Sequence, residues 1–585
     1  MTELQVWAPR ARGSVEVELG NGDRRVKMTP DERGWYRAEV PGLHAGGDYG
    51  FVLDDRGPFP DPRSAFQPNG VHGLSRVVDH GAFEWTDHDW PGADPRDGII
   101  YELHVGTFSP RGDFDGVIER LDHVVDLGAT TVELMPVCEF PGRRNWGYDG
   151  VSLYAPHHAY GGPDALKRLV DACHQRGLAV VLDVVYNHLG PEGNYLGHFG
   201  PYFTDFYSTP WGQAINYDRA DSDEVRRFAI DNALMWLRDH HFDGLRLDAV
   251  HAIIDTSAVH LLEQMAVEVE HLADEVGRPL TLIAESDQND PRLCRPRHLG
   301  GYGLAAQWSD DFHHALHVVL TGEHDGYYRD FDGVAHLAEA IERGWVYTGD
   351  YSPHRRRRHG REPDGIDGRN LLAYAQNHDQ IGNRAVGDRL SALVGDGGQR
   401  IAAALVLTSP FVPLLFQGEE WGSESPFQYF TDHQDRELGR AVAQGRRSEF
   451  AAFGWEPDDV PDPQDAETFE RSRLDWSETG RSRNAAMLDW YRSLIELRSS
   501  EPGLLTGELS CAVAHGDDES WLRVDRDGFA VVVNLADHTQ TVPCPTGKVL
   551  LASTDLASTS TDGEGLALPP ESVAVVSVGA IDHLH

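Results

Sequence analysis

Short runs in which apolar and polar residues alternate open the chain: Val15-Glu16-Val17-Glu18-Leu19, then Trp35 to Val40, then Tyr49 to Leu53. A period of two belongs to a strand with one face buried, and the Gly- and Pro-containing turns between the runs predict a small β-sandwich over residues 1–90. From Gly98 the texture changes. Continuous apolar runs now alternate with amphipathic stretches, the pattern of strands buried on both faces and joined by helices. The runs are Ile99 to Leu103, Thr131 to Met135, Ala179 to Val184, Gly244 to Leu247, Leu280 to Ala284, Leu304 to Trp308, Leu371 to Ala375 and Pro413 to Phe416. Between them the spacing predicts helices over Phe114 to Leu127, Pro163 to Arg176, Glu224 to His240 and Ser257 to Val276, with another over Asn484 to Ser499. Eight such strands predict a closed (β/α)8 TIM barrel over residues 91–503. After Glu501 short strands return (Trp521 to Val524, Gly528 to Asn534, Ser572 to Val578), which predicts a C-terminal β-sandwich domain over 504–585. The fold class is α/β.

At 585 residues the chain exceeds what one hydrophobic core supports, in keeping with this three-part reading. A formal net charge of -43 argues against nucleic acid or an anionic membrane as partner, because both call for a basic footprint; a neutral sugar is compatible. Lysine occurs only at Lys27, Lys167 and Lys548, and the one dense basic run, Arg355-Arg356-Arg357-Arg358, reads as a solvated loop. The five cysteines (Cys138, Cys173, Cys294, Cys511, Cys544) form no CxxC pair, so neither a zinc site nor a disulfide framework follows. No leader-like amino terminus and no bilayer-length apolar run is present, so a cytoplasmic location is expected. The N-terminal sandwich is expected to pack on the barrel rather than to bind glucan, with Trp7 and Trp35 as the residues that decide.

In a barrel of this kind the working side chains sit at the carboxyl ends of the strands. The third run ends Asp183-Val184-Val185-Tyr186-Asn187-His188, the fourth Arg246-Leu247-Asp248, the fifth Ala284-Glu285, and the seventh leads into Asn377-His378-Asp379. A single aspartate at such a place is often a helix cap, but several carboxylates in one cleft repel one another, a cost that chemistry explains better than packing. Retaining glycoside hydrolysis needs such a set: a nucleophile and a proton donor about 5 to 5.5 Å apart. Arg246 lies two residues before Asp248, so strand alternation sets a guanidinium beside the candidate nucleophile. Glu285 is the candidate acid/base, and anionic neighbours favour its protonated form.

The segments VVYNH (184–188), GLRLDAVH (244–251), IAES (283–286) and NHDQIGN (377–383) resemble, in order and spacing, the four signature regions of the α-amylase superfamily, glycoside hydrolase family thirteen. The resemblance implies that Asp248 is the nucleophile, Glu285 the general acid/base and Asp379 a third carboxylate that grips sugar hydroxyls. It further implies that His188 and His378 bond hydroxyls, that Tyr148 stacks on the sugar ring, and that Arg246, His251 and Gln380 line the substrate. An N-terminal sandwich ahead of the barrel is similar to that of branching, debranching and trehalose-releasing members. The runs Gln307 to His317, Leu320 to Glu323, Gly326 to Tyr328 and Ala284 to Arg292 look like the trehalohydrolase branch. That likeness implies hydrolysis of the α-1,4 bond next to the terminal trehalose of malto-oligosyl trehalose. It makes Asp310, Asp311, Phe312, His313 and His314, on the loop after the sixth strand, candidates for holding the trehalose unit, unless an aspartate merely caps the next helix. A branching or debranching enzyme and a catalytically inactive glycan-binding protein are the alternatives. The chemistry requires no cofactor, and no metal site is read from the sequence; Asp183 and Asn187 alone do not make a calcium cage.

Overall fold

In the barrel strands, parity decides which side chains meet. Ile100 faces the interior, with Ile283, Ala306, Trp308, Leu372, Tyr374, Val412 and Leu414, while Tyr101, Leu103, Leu245, Leu247, Leu282 and Ala284 join the core that the surrounding helices cover. The computed structural model of the chain describes residues 2–578 apart from 21, 23, 210, 211, 452–458, 510, 517 and 562. It closes eight parallel strands into a barrel: β1 (Ile100–Leu103), β2 (Thr131–Leu134), β3 (Ala179–Val184), β4 (Gly244–Leu247), β5 (Thr281–Ala284), β6 (Ala306–Trp308), β7 (Leu371–Ala373) and β8 (Val412–Phe416), with β8 pairing back to β1. All eight coincide with the apolar runs. The predicted helix over Phe114 to Leu127 is instead two, Phe114–Ile118 and Leu121–Leu127. Arg120, the residue before the second helix (φ -113°, ψ -2°), sets its guanidinium 4.5 Å from the centre of the Trp476 ring.

The N-terminal region forms a three-stranded sheet facing a five-stranded one. Trp7 is only 4% exposed and meets Tyr202, from the long loop after β3, edge-on at 5.3 Å. Gly200 is the point of closest approach: a Cβ there would stand 2.6 Å from the Trp7 ring. Trp35 is half-buried beneath the Arg63 guanidinium. Trp7 is therefore part of a junction with the barrel, while Trp35 stays half-buried and reaches the barrel only through Arg63, which meets Asp231 at 2.8 Å.

The connector after the sandwich is fastened across the amino-terminal end of the barrel. His174 bridges Asp87 of the connector at 2.8 Å and Asp243, just before β4, at 3.0 Å. Trp90 donates from Nε1 to Asp243 at 2.8 Å and stacks on His174, while Trp85 stacks on His241 at 3.7 Å. Burial works against charge on His174, but hydrogen bonds and charges from Asp243 and Asp87 outweigh it and raise its pKa above the ordinary histidine value.

At the other end of the chain a six-stranded antiparallel sheet and a two-stranded one form the C-terminal β domain. Arg400 ties it to the barrel helix Asp396–Thr408 by donating to the Ser553 carbonyl at 2.8 Å. The five cysteines are free and buried, and among the described residues no helix is long and apolar enough to cross a membrane.

Candidate active site

Asp248, Glu285 and Asp379 leave the carboxyl ends of β4, β5 and β7 and converge on one guanidinium. Arg246 Nη1 lies 2.8 Å from Asp248 Oδ1, and Nη2 lies 3.6 Å from Glu285 Oε2 and 4.0 Å from Asp379 Oδ2. Nη1 also meets Asp183 at 2.7 Å, and the indole of Trp308 lies 4.3 Å from the guanidinium carbon. A fully buried arginine is costly to desolvate, and here a ring of carboxylates offsets that cost. Asn187 Nδ2 donates to Asp248 Oδ2 at 2.7 Å and so fixes the carboxylate from its other side.

Glu285 carries a strongly raised pKa. Burial is the largest cause; Arg246 opposes it, and the charges of Asp248, Asp379 and Asp310 add to it. Surroundings that favour the protonated carboxyl are what a general acid needs. The backbone supports the geometry through Ala249, whose N–H donates to Glu285 Oε2 at 2.6 Å. Ala249 adopts a left-handed conformation (φ 40°, ψ 51°), which a residue with a Cβ enters only at a cost of about 1–2 kcal/mol.

Two cavities flank Asp379, which lines both. One, of about 500 Å³, is walled by Trp146, Tyr148, His188, Asp248, His251, Glu285 and, across the cleft, Tyr429 and Arg446. The other, of about 390 Å³, is walled by Asp287, Asp310, His314, Tyr327, Arg355 and Gln380. A chain of sugars crossing Asp379 would fill both.

Tyr148 is half-buried and its hydroxyl donates to Asp183 Oδ2 at 2.5 Å while accepting from His378 Nε2 at 2.6 Å. His188 holds Asn187 Oδ1 through Nδ1, at 2.5 Å, and its Nε2 stands 3.1 Å from the Tyr148 carbonyl; burial lowers its pKa. His378, expected against sugar hydroxyls, is wholly buried behind Tyr148, and its two ring nitrogens are engaged by Glu102 and Tyr148.

The segment from Asp310 to His314 is not a loop. Ser309 alone separates β6 from the helix Asp310–Thr321, so helical rather than loop geometry sorts the five residues. Asp310 and His314, four apart, share the face toward the cleft. Asp310 accepts from the Tyr374 hydroxyl, and burial, with the charges of Asp287 and Asp379, pushes its pKa up to about 7 against that hydrogen bond. Asp311 turns inward and accepts from Asn289 Nδ2 and the amides of Val346 and Tyr347 at 2.8 to 3.0 Å. Phe312 packs on Phe411 in the core, and His313 stacks on Tyr374. Neither aspartate caps the helix; its N-cap is Ser309, which makes no side-chain cap bond.

In the arginine run expected to be a solvated loop, Arg356, Arg357 and Arg358 are exposed and Arg355 departs from that reading. The run forms the turn and returning strand of a hairpin, Thr348–Ser352 with Arg357–Gly360, and Arg355 bends into the second cavity to meet Asp287 at 2.9 Å and Asp330 at 3.4 Å. The buried carboxylate of Asp330 and the half-buried one of Asp287 supply the pull that a sequence run cannot display.

Among the described residues, Glu139, His157 and His158 are the group whose ligand atoms approach within 4.8 Å, as a metal site requires. Glu139 already accepts from His158 Nδ1 at 2.7 Å and from the His158 amide at 2.9 Å, while His157 Nδ1 accepts from the Ala159 amide at 3.1 Å. The cluster is self-satisfied and contributes nothing to the cleft.

Residues 82–214 match the model of the alpha-amylase catalytic domain, and residues 506–575 match a domain of unknown function, DUF3459. A malto-oligosyltrehalose trehalohydrolase of Arthrobacter ramosus is 56% identical, over 85% of this chain and 87% of its own. Its counterpart in Rhizobium sp. (strain M-11) is 49% identical over 98% and 97%, and that of Saccharolobus solfataricus 45% identical over 90% of each. Among solved structures, a 1.4 Å crystal structure described as an alpha amylase from Salmonella typhimurium superposes with a TM-score of 0.90 at 39% identity, covering 98% of this chain and 97% of that one. A pullulanase from Anoxybacillus sp., 20% identical with a TM-score of 0.71 over 99% and 86%, shares the fold.

Proposed function

The chain belongs to the malto-oligosyltrehalose trehalohydrolases of the α-amylase superfamily, and from that premise we propose that Asp248 is the nucleophile, Glu285 the acid/base and Asp379 the third carboxylate of its site. The protein is a glycosidase that releases trehalose from malto-oligosyl trehalose. The observation that carries the residue assignment is the gathering of the three carboxylates within 4.0 Å of the Arg246 guanidinium at the mouth of the barrel.

In the first step Asp248 attacks the anomeric carbon of the glucose unit next to trehalose. The bond to the glycosidic oxygen breaks, and Glu285 gives that oxygen its proton, so trehalose leaves as a neutral alcohol. In the second step Glu285, now a carboxylate, takes a proton from water, whose oxygen displaces Asp248 and frees the shortened maltooligosaccharide. Asp310, His314 and Gln380 lie on the leaving side and would hold trehalose, while Tyr148, His188 and His251 lie on the side of the retained glucan. Buried polar groups matched to trehalose discriminate against a plain glucan, which leaves them unpaired.

The same proposal divides the chain at 1–90, 91–503 and 504–585 and sets the enzyme in the cytoplasm, for which the free, buried cysteines are the supporting observation. The decisive experiment is product analysis on maltotriosyl trehalose. Wild type should yield trehalose and maltotriose, and Glu285→Gln should lose activity by at least about a thousandfold. Glucose or mixed maltosaccharides from wild type would overturn the bond assignment, and an active Glu285→Gln would overturn the acid.

A further inference from the structure

Beneath the three carboxylates lies a second acidic layer that the reaction as written does not use. Glu102 and Glu133 are register partners on the neighbouring strands β1 and β2 and are both about 1% exposed. Neither Glu133 oxygen has a hydrogen-bond partner, and its pKa is strongly raised, by burial first and then by the charges of Glu102 and Asp183. Glu102 is engaged differently. One oxygen meets His378 Nδ1 in a short bond, and the other accepts the His378 backbone N–H at 3.1 Å.

We propose that Glu102 is a positioning residue for glycoside cleavage: by gripping the ring and the backbone of His378 together, it aims His378 Nε2 at the Tyr148 hydroxyl and so sets which way that hydroxyl points. The chain of contacts is continuous. His378 Nε2 donates to Tyr148 Oη at 2.6 Å, Tyr148 donates to Asp183 at 2.5 Å, Asp183 meets Arg246 at 2.7 Å, and Arg246 meets Asp248 at 2.8 Å. With a proton on Nε2, Tyr148 has one acceptor for its own hydrogen, Asp183. Without it, Nε2 becomes a competing acceptor, and the hydroxyl can turn away from Asp183 and the site wall.

The groups facing His378 make the proton's residence depend on Glu102. Burial alone lowers its affinity. The charge of Glu102 and then that of Asp379, with the hydrogen bond that His378 donates to Glu102, reverse this and hold the His378 pKa up at about 9, while Arg246 works against them. His378 Nε2 lies 3.6 Å from Asp379 Oδ1, so its charge also balances the third carboxylate. His104, buried nearby with a pKa lowered to about 4 by burial, adds no competing cation. Remove the charge of Glu102, and Asp379 alone is left to hold the proton against burial and Arg246.

The inference rests on the assignment of Asp248, Glu285 and Asp379, and its test is separable from theirs. Trehalose release by wild type, and its loss in Glu285→Gln, test that assignment. The test of Glu102 is the movement of the alkaline limb of kcat, measured against pH on maltotriosyl trehalose, between wild type and Glu102→Gln. The expected result is a folded variant with kcat lowered about tenfold at neutral pH, its alkaline limb displaced downward by about one pH unit or more, and KM little changed. Glu102→Asp, which keeps the charge, should return the limb toward its wild-type position. A uniform loss of kcat with the limb in place, or no loss at all, overturns the proposal. Should Glu102→Gln not fold, Tyr148→Phe removes the hydroxyl that responds to His378: a flattened alkaline limb supports the proposal, and an unmoved one overturns it.

Discussion

Arg246 is the residue on which the carboxylates depend for being together at all. Its truncation leaves Asp183 and Asp248 buried without their cation, so Arg246→Met should lower the unfolding free energy by about 3–5 kcal/mol, read from chemical denaturation, as well as abolish activity. Arg246→Lys keeps the charge but cannot span Asp183, Asp248 and Glu285 at once, and should recover stability better than turnover. At Ala249 the sign reverses. Glycine enters the left-handed region freely, so Ala249→Gly should raise stability by about 0.5–1 kcal/mol while lowering kcat, because the amide that steadies Glu285 is held less firmly. The three carboxylates proposed as catalytic could be picked out because they stand at strand ends in recognisable motifs. Glu102 and Glu133 were harder to read because each sits inside an apolar strand, where one acidic letter reads as an interruption. Their signal was present all the same: a carboxylate at inward parity in a strand with no exposed face has to be paired, protonated or functional.

At the scale of elements, the eight strands could be read from apolar runs because a strand buried on both faces needs no partner to declare itself. What the runs could not give was the length of each connection. A single residue joins β6 to its helix, and that turns an expected loop of contacts into a helix offering only Asp310 and His314 to the cleft. Asp310→Asn removes a carboxyl acceptor from the proposed leaving side. It should lower kcat/KM on malto-oligosyl trehalose about tenfold, the worth of one hydrogen bond to a buried group, and leave hydrolysis of a plain maltooligosaccharide within about twofold. Equal losses on both substrates would place Asp310 outside trehalose recognition. Arg355 was likewise illegible, because its partners Asp287 and Asp330 are remote in sequence and only the hairpin brings them together.

For the molecule as a whole, charge and fastening set behaviour away from the site. A formal net charge of -43 repels itself most strongly in the folded state, so moderate salt should raise the melting temperature through screening. The His174 bridge on the far end of the barrel adds a dependence of its own. Its raised pKa means that its stabilisation is complete below the unfolded value of about 6.5 and drains away as pH rises through the folded value. Asp87, whose carboxyl is held well below the ordinary range by His174 and His241 against its partial burial, contributes fully above about pH 4 and is lost below it. The melting temperature should therefore decline on the alkaline side more steeply in wild type than in His174→Gln. Because this bridge closes the connector at the end of the barrel opposite the carboxylates, losing its proton changes how long the enzyme survives without changing how fast it works. Shelf life and initial rate would then have separate pH optima, and a buffer chosen for one would shorten the other.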